Sequence, residues 1–220
     1  WVFLFHIRDL FASSSPIIAN FSNYGHLGVP MFFVISGYVI THSAESNLKS
    51  NNSPWIFLRN RFLRIYPAFW ASIAIILLIP YLLEAISSLK SGLYTAPENV
   101  IARYSAWEWF NFFLLTKVFF ATSADLQSEF NALNAVYWSL AIEFQFYLVV
   151  FFALHLKKFY RHIIALISFL AILLQFLPVG LNYGLFIHYW PSFCVGIVLA
   201  YLHRSKIEFR LVSFARAVVA

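Results

Sequence analysis

Several apolar runs of this 220-residue chain are as long as a membrane-spanning helix. Such a helix needs roughly 20 apolar residues to cross a hydrocarbon core about 30 Å thick. Only 11% of the residues are charged, whereas soluble domains contain about 25%. The alternation of apolar and polar residues that is typical of membrane β-barrels is not seen. We therefore predict an all-α fold, a polytopic integral membrane helical bundle.

One further apolar stretch, at 107–121, is short and contains Glu108 and Lys117. It begins with two tryptophans, which favour the membrane interface. We predict that it is a re-entrant or interfacial segment within an outer region, 87–135. About six spans are predicted from their length and hydropathy, at about 1–12, 27–43, 66–86, 136–156, 162–178 and 183–202.

The distribution of basic residues predicts the orientation. If 107–121 does not cross, the connections 44–65 and 157–161 and the tail 203–210 share one side, which then holds ten of the fifteen Lys and Arg residues. Cytoplasmic loops carry such an excess, so this side is predicted to be cytoplasmic. The net charge of +6 then reports topology, and we expect no nucleic-acid partner.

The chain starts at Trp1 inside an apolar run, and Met31 is its only methionine. We expect a single domain over 1–220 that is truncated at the N-terminus and also at the C-terminus. The single cysteine, Cys194, excludes an internal disulfide. No HxxxH or HExxH spacing occurs, so we expect no metal site.

His6 and Asp9 are ionisable residues in the first predicted span. Their spacing places both on one helical face, where the carboxylate could orient or charge the imidazole. Ionisable groups at membrane depth are costly and usually functional. The alternative is a histidine near a helix end that is satisfied by solvent.

"RNRFLRIYPAFW", at 59–70, contains Arg61 and Arg64 at positions i and i+3. Both guanidinium groups are predicted to project from one helical face just before a span. Paired arginines suit phosphate groups, which predicts an anion clamp. A cytoplasmic flank that only fixes topology would contain the same residues, so both interpretations stay open.

"WSLAIEFQFYLVVF", at 138–151, places a carboxylate inside an apolar span. Ser139, Glu143 and Tyr147 share one helical face, which must look into protein or a wet cavity because lipid offers no hydrogen bonds. A structural network between helices explains this stripe. A catalytic carboxylate, a hydrogen-bond acceptor for the substrate or a member of a proton relay would also explain it.

"HLGVPMFFVISGYVI", at 26–40, interrupts an apolar run with Ser36 and Gly37. Gly37 lets a neighbouring helix or a narrow ligand approach closely, and Ser36 can hydrogen-bond within its own helix. We predict that this segment forms a wall of a functional cavity. Generic close packing of helices is the alternative.

Taken in order, His6 and the segments "GVPMFFVISGYVI", "RFLRIYPAFW", "WSLAIEFQFYL" and "PSFCVGIVLAYL" span nearly the whole chain. This ordered set resembles the membrane-bound acyltransferase family 3, the type that O-acetylates bacterial surface polysaccharides. The family signature differs here, because Phe144 separates Glu143 from Gln145.

The resemblance implies an O-acyltransferase, foremost an O-acetyltransferase, in the bacterial cytoplasmic (inner) membrane. It implies transfer from cytoplasmic acyl-coenzyme A, foremost acetyl-CoA, to a hydroxyl of a carbohydrate or lipid-linked sugar, with membrane lipid as a further partner. By the same resemblance, His6 is the general base, Glu143 is catalytic, and Arg61 and Arg64 engage the donor phosphates. The residues expected to support the cavity are Asp9, Ser36, Gly37, Ser139 and Tyr147.

Two other functions fit buried ionisable groups. One is a proton-coupled transporter or flippase of a carbohydrate or lipid, in which His6 and Glu143 form a proton pathway. The other is a catalytically silent membrane protein that binds an acyl or lipid ligand.

Overall fold

The computed structural model describes residues 16–97, 99–119, 121, 130, 133–177 and 184–204. This part of the chain is helical and has no β-strand, which confirms the all-α prediction. Within it, three helical segments are long and apolar enough to cross a membrane: Asn20–Lys49, Pro54–Ser91 and Tyr137–His155. The α-helices are α1 (Pro16–Asn23), α2 (Gly28–Lys49), α3 (Pro54–Ser91), α4 (Ala106–Phe113), α5 (Tyr137–His155), α6 (Tyr160–Leu174) and α7 (Trp190–Arg204).

The long helices lie where spans were predicted. Helices α2 and α3 include 27–43 and 66–86 almost completely, and α5 covers all but the ends of 136–156. Helices α6 and α7 have 15 residues each, which is less than a perpendicular crossing requires. The span at 1–12 lies outside the described residues, so the number of crossings stays a prediction.

The connection between α2 and α3 is much shorter than the predicted loop 44–65. Only residues 50–53 separate the two helices. Helix α3 starts early because Ser53 caps it by accepting a hydrogen bond from the Trp55 N–H, and Pro54 occupies the first turn. Pro67 consequently lies inside α3 and not at its start.

Helices α2 and α7 pack with their backbones in direct contact. A Cβ atom added to Gly37 would lie 2.2 Å from the carbonyl oxygen of Phe193, and one added to Gly196 would lie 2.0 Å from that of Val34. Helix α5 packs against this pair through Phe146, whose ring stacks on Phe193 with centroids 4.1 Å apart. Glycine therefore sets the spacing of the helices that carry the candidate site.

Helix α4 lies within the stretch 107–121 and has only eight residues. At a rise of about 1.5 Å per residue it is roughly 12 Å long and cannot cross a bilayer. A capping box between Ser105 and Glu108 starts it. The backbone N–H of Ser105 and the ammonium of Lys117 hold the pKa of Glu108 below its usual value.

The end of α4 packs against the middle of α3. The Tyr66 hydroxyl donates to the carbonyl oxygen of Leu114 at 2.9 Å, and Trp70 Nε1 donates to that of Phe113 at 3.1 Å. Trp70 lies roughly 30 Å along the helix axis before the end of α3. The chain thus returns along α3 to this level, a path that favours a re-entrant segment over an interfacial one.

A buried carboxylate ties α2, α6 and α7 together. Arg161 donates from Nε and Nη2 to the two oxygens of Glu45 at 2.9 and 2.8 Å. Tyr201 donates to Oε1 at 3.0 Å, and Arg204 donates to Oε2. Glu45, Arg161 and Arg204 come from the three segments that the basic-residue pattern placed on one side, so those segments are neighbours in the fold.

Candidate functional site

Glu143 lies in the middle of α5 and is only 6% exposed. Two hydroxyls donate to its Oε1 atom, Tyr147 from the same helix and Ser36 from α2, each at 2.7 Å. A carboxylate among apolar side chains requires such donors. Within the described part of the chain, no hydrogen bond reaches Oε2, so this oxygen can take a further donor.

The sequence led us to expect that the Ser36 hydroxyl hydrogen-bonds within α2. It instead donates to Glu143 on α5. Thr41 makes a bond within α2, since its hydroxyl donates to the carbonyl oxygen of Gly37 at 2.7 Å. Gly37 itself faces the Phe193 backbone. The "FFVISG" segment therefore contributes one donor to the carboxylate and one contact surface to α7.

Arg61 places a cation beside this carboxylate cluster. Its side chain is 9% exposed, and its guanidinium carbon lies 5.9 Å from the ring centroid of Tyr147 and 5.7 Å from that of Phe57. Its Nε atom is buried and finds no acceptor among the described residues. A buried guanidinium with a free N–H suits an oxygen of a phosphate or carbonyl group.

Arg64 has a different environment, although it lies one turn further along α3. Its side chain is exposed, whereas that of Arg61 is buried. A ligand held by both would have to reach from the surface of the bundle to its interior.

The other predicted residues fall outside this cluster or outside the described chain. The Ser139 hydroxyl donates to the carbonyl oxygen of Val136 at 2.8 Å, within its own helix turn. His6 and Asp9 lie outside the described residues, so their relation to Glu143 stays a prediction.

Gln145 has a structural role that sequence reasoning did not find. Its Nε2 atom donates to the carbonyl oxygen of Gly184 at 2.7 Å, and its Oε1 atom accepts from the Phe186 N–H at 3.0 Å. It thereby holds the segment that leads into α7. The sequence signal was an amide side chain in an apolar span, but its partners are 39 and 41 residues away.

The cluster joins a carboxylate oxygen and a guanidinium N–H that both lack partners among the described residues. The oxygen of Glu143 can accept from a hydroxyl or an imidazole, and Arg61 can stabilise negative charge. In a low-dielectric interior such groups act more strongly than they do in water. This pairing suits a reaction in which a proton moves and an oxyanion forms.

Comparison with known proteins identifies the family of the chain. The model of the acyltransferase 3 family, described as an acyltransferase domain, matches residues 1–220. Peptidoglycan O-acetyltransferase OatA of Listeria monocytogenes is 30% identical over 129 residues, which are 57% of this chain and 19% of that protein. Nodulation protein 10 of Rhizobium leguminosarum is 26% identical over 194 residues, 77% of this chain and 48% of that protein.

An uncharacterized protein of Haemophilus influenzae is 31% identical over 201 residues, which are 82% of this chain and 77% of that protein. No solved structure matches the chain. The chain spans about a fifth of the Listeria protein and about half of the Rhizobium protein. The family match covers every residue, and the chain belongs to the membrane-bound acyltransferase family 3.

Proposed function

We propose that this chain is the membrane-embedded domain of an O-acyltransferase, of the class that transfers groups other than amino-acyl groups. The donor is a cytoplasmic acyl-coenzyme A, foremost acetyl-CoA. The acceptor is a hydroxyl of a cell-surface carbohydrate or of a lipid-linked sugar. Family membership supports acyl transfer, and the Listeria relative, named for peptidoglycan O-acetylation, supports a carbohydrate acceptor.

The observation that carries the proposal is the buried cluster of Ser36, Glu143 and Tyr147 beside Arg61. A purely structural network would satisfy its own polar atoms. Here the Nε atom of Arg61 is buried without an acceptor among the described residues. An incoming oxygen atom of a substrate would complete the network.

Each side chain has a distinct role in this proposal. Acyl-coenzyme A supplies a thioester whose carbonyl carbon bonds to the acceptor oxygen while the sulfur leaves. His6 takes the hydroxyl proton, because imidazole suits general base catalysis near neutral pH. Arg61 and Arg64 hold the donor phosphates, and Glu143 orients the reacting groups through its free oxygen. Asp9 supports His6, and Ser139 lines the cavity, whereas Gly37 packs α2 against α7.

The proposed location is the bacterial inner membrane, with several spans. The basic segments around Lys49, Lys157 and Arg204 then face the cytoplasm, where coenzyme A thioesters are found. Arg61 and Arg64 lie near the same end of the bundle, since α3 starts next to the short loop 50–53. The donor therefore enters from the cytoplasm and the acceptor from the opposite side.

Transfer from radiolabelled acetyl-CoA in membranes that contain the full-length protein tests the proposal. His6→Ala should abolish transfer while the protein remains present at its normal amount. The matched control is His162→Ala, because His162 is exposed on α6 and should leave transfer unchanged. Undiminished transfer by His6→Ala would remove His6 as the base. Acceptor uptake without any acyl transfer would favour a proton-coupled transporter.

A further inference from the structure

A polar cavity of about 280 Å³ lies between the end of α2 and the start of α3. Ile56 and Phe57 form its apolar side. Among the described residues, no lysine, arginine, aspartate or glutamate lines it, so it suits an uncharged ligand group with hydrogen-bonding edges. Its polar walls are His42, Ser43, Ser46, Asn47, Asn52 and Asn60.

Asn47 contributes an acceptor that lacks a donor. Its side chain is 6% exposed, and Nδ2 donates to the carbonyl oxygen of Ser53 at 3.2 Å. This bond identifies the other amide atom as the oxygen. That Oδ1 atom is buried and has no partner among the described residues. An unsatisfied buried acceptor is costly, and a ligand N–H would remove that cost.

The cavity adjoins the cluster around Glu143 through one shared side chain. Phe57 lines the cavity, and the guanidinium carbon of Arg61 lies 5.7 Å from the centroid of the same ring. Arg61 in turn lies beside Tyr147, which bonds Glu143. The polar cavity, the guanidinium and the carboxylate thus follow one another from the α2–α3 loop inward.

We propose that this cavity binds the purine base of the acyl donor, an inference that rests on the function proposed above. Coenzyme A has the same order of parts, with a neutral base, then phosphates, then the acyl-bearing arm. Asparagine side chains pair with adenine by accepting from its amino group and donating to a ring nitrogen. The apolar side provides a surface for stacking of the base. Asn47 and Asn60 are therefore assigned as base-recognition residues.

The test measures equilibrium binding by calorimetry with the purified full-length protein. The ligands are coenzyme A, its analogue with hypoxanthine in place of adenine, and 4′-phosphopantetheine, which lacks the nucleoside and two of the three phosphate groups of coenzyme A. In the wild type, loss of the amino group should weaken binding about five- to tenfold, as expected for one hydrogen bond. Asn60→Ala should weaken coenzyme A binding by a similar factor and leave 4′-phosphopantetheine binding unchanged.

The fold should tolerate Asn60→Ala, because Asn60 is exposed on α3 and alanine favours helix. Ser50→Ala is the control, since Ser50 is exposed in the nearby loop between α2 and α3 and does not line the cavity. The Ser50→Ala variant should bind coenzyme A and 4′-phosphopantetheine as tightly as the wild type does. Equal weakening of both ligands by Asn60→Ala, or no weakening of either, would overturn the base site while leaving the donor in place. Binding of neither ligand by the wild type would overturn the proposed donor as well.

Discussion

At the scale of single residues, the two hydroxyls on Oε1 of Glu143 leave its second oxygen without a hydrogen bond from the described residues. Glu143→Gln removes the negative charge beside Arg61 and replaces an acceptor by a donor or a neutral oxygen. We expect transfer from acetyl-CoA to fall by about 10² or more, the range of general acid–base groups. Tyr147→Phe removes one hydrogen bond and should lower the rate of transfer only about tenfold. Initial rates in membranes with equal protein content measure both.

Glu84→Gln is the matched control for that comparison. Glu84 is also a carboxylate on a long helix, but it accepts from Thr95 in the connection that follows α3. Glu84 has no role in the proposed reaction, so Glu84→Gln should leave the rate of transfer unchanged. If Glu143→Gln transferred as fast as Glu84→Gln, Glu143 would be a packing residue.

Gly37 is a position where one added methyl group should destabilise the fold. Its Cβ would lie 2.2 Å from the Phe193 carbonyl oxygen, which is backbone and cannot rotate away. Gly37→Ala should therefore force α2 and α7 apart and lower the free energy of unfolding by about 1–3 kcal/mol. Thermal unfolding in detergent measures this change. Ile35→Leu, on the exposed side of the same helix, should be neutral, and an equally stable Gly37→Ala would contradict the close contact.

Sequence reasoning could find Tyr147 as a neighbour of Glu143, because helical spacing places i and i+4 on one face. It named Ser36 as a cavity residue but could not find its bond to Glu143, because Ser36 lies 107 residues away and reaches Glu143 only through the packing of α2 on α5. It also treated Arg61 and Arg64 alike. Their separation into a buried and an exposed side chain depends on which side of α3 faces α5.

At the scale of helices, Glu45 joins α2, α6 and α7. It was missed because the sequence placed it in a loop, whereas α2 continues to Lys49. The signal was available in the topology, since Arg161 and Arg204 were predicted on the same side. A buried carboxylate with two arginine partners connects distant parts of the chain, and its role is testable by coupling between substitutions.

Glu45→Gln should lower the free energy of unfolding by about 1–3 kcal/mol, because it removes a buried charge from its cationic partners. Arg161→Ala should act in the same direction. The double variant should cost less than the two single costs combined, since both break one network. Thermal unfolding of the purified protein measures all three. Lys158→Ala, exposed in the same turn, should have no effect, and strict additivity would show that the two residues do not interact.

At the scale of the whole molecule, the proposed function depends on which end of the bundle faces the cytoplasm. The proposed donor site requires the loop between α2 and α3 on the cytoplasmic side. This orientation requires that the stretch 107–121 does not cross the membrane. A crossing would place the turn that contains Lys157 on the opposite side of the membrane from the Glu45 network, although the two are neighbours in the fold. The hydrogen bond of Lys157 to Asn51 at 2.7 Å already joins that turn to the α2–α3 loop.

Single cysteines labelled from either side of the membrane test this arrangement in a Cys194→Ala background. Ala96→Cys and Ser128→Cys flank 107–121 and should both react with an impermeant maleimide from outside, because a re-entrant segment enters and leaves on one side. Ser50→Cys should react only after the membrane is opened, since its loop is predicted to be cytoplasmic. Mass shift on gels measures the labelling. Reaction of Ala96→Cys and Ser128→Cys from opposite sides would establish a crossing and would place the Lys157 turn outside, against its contact with the α2–α3 loop.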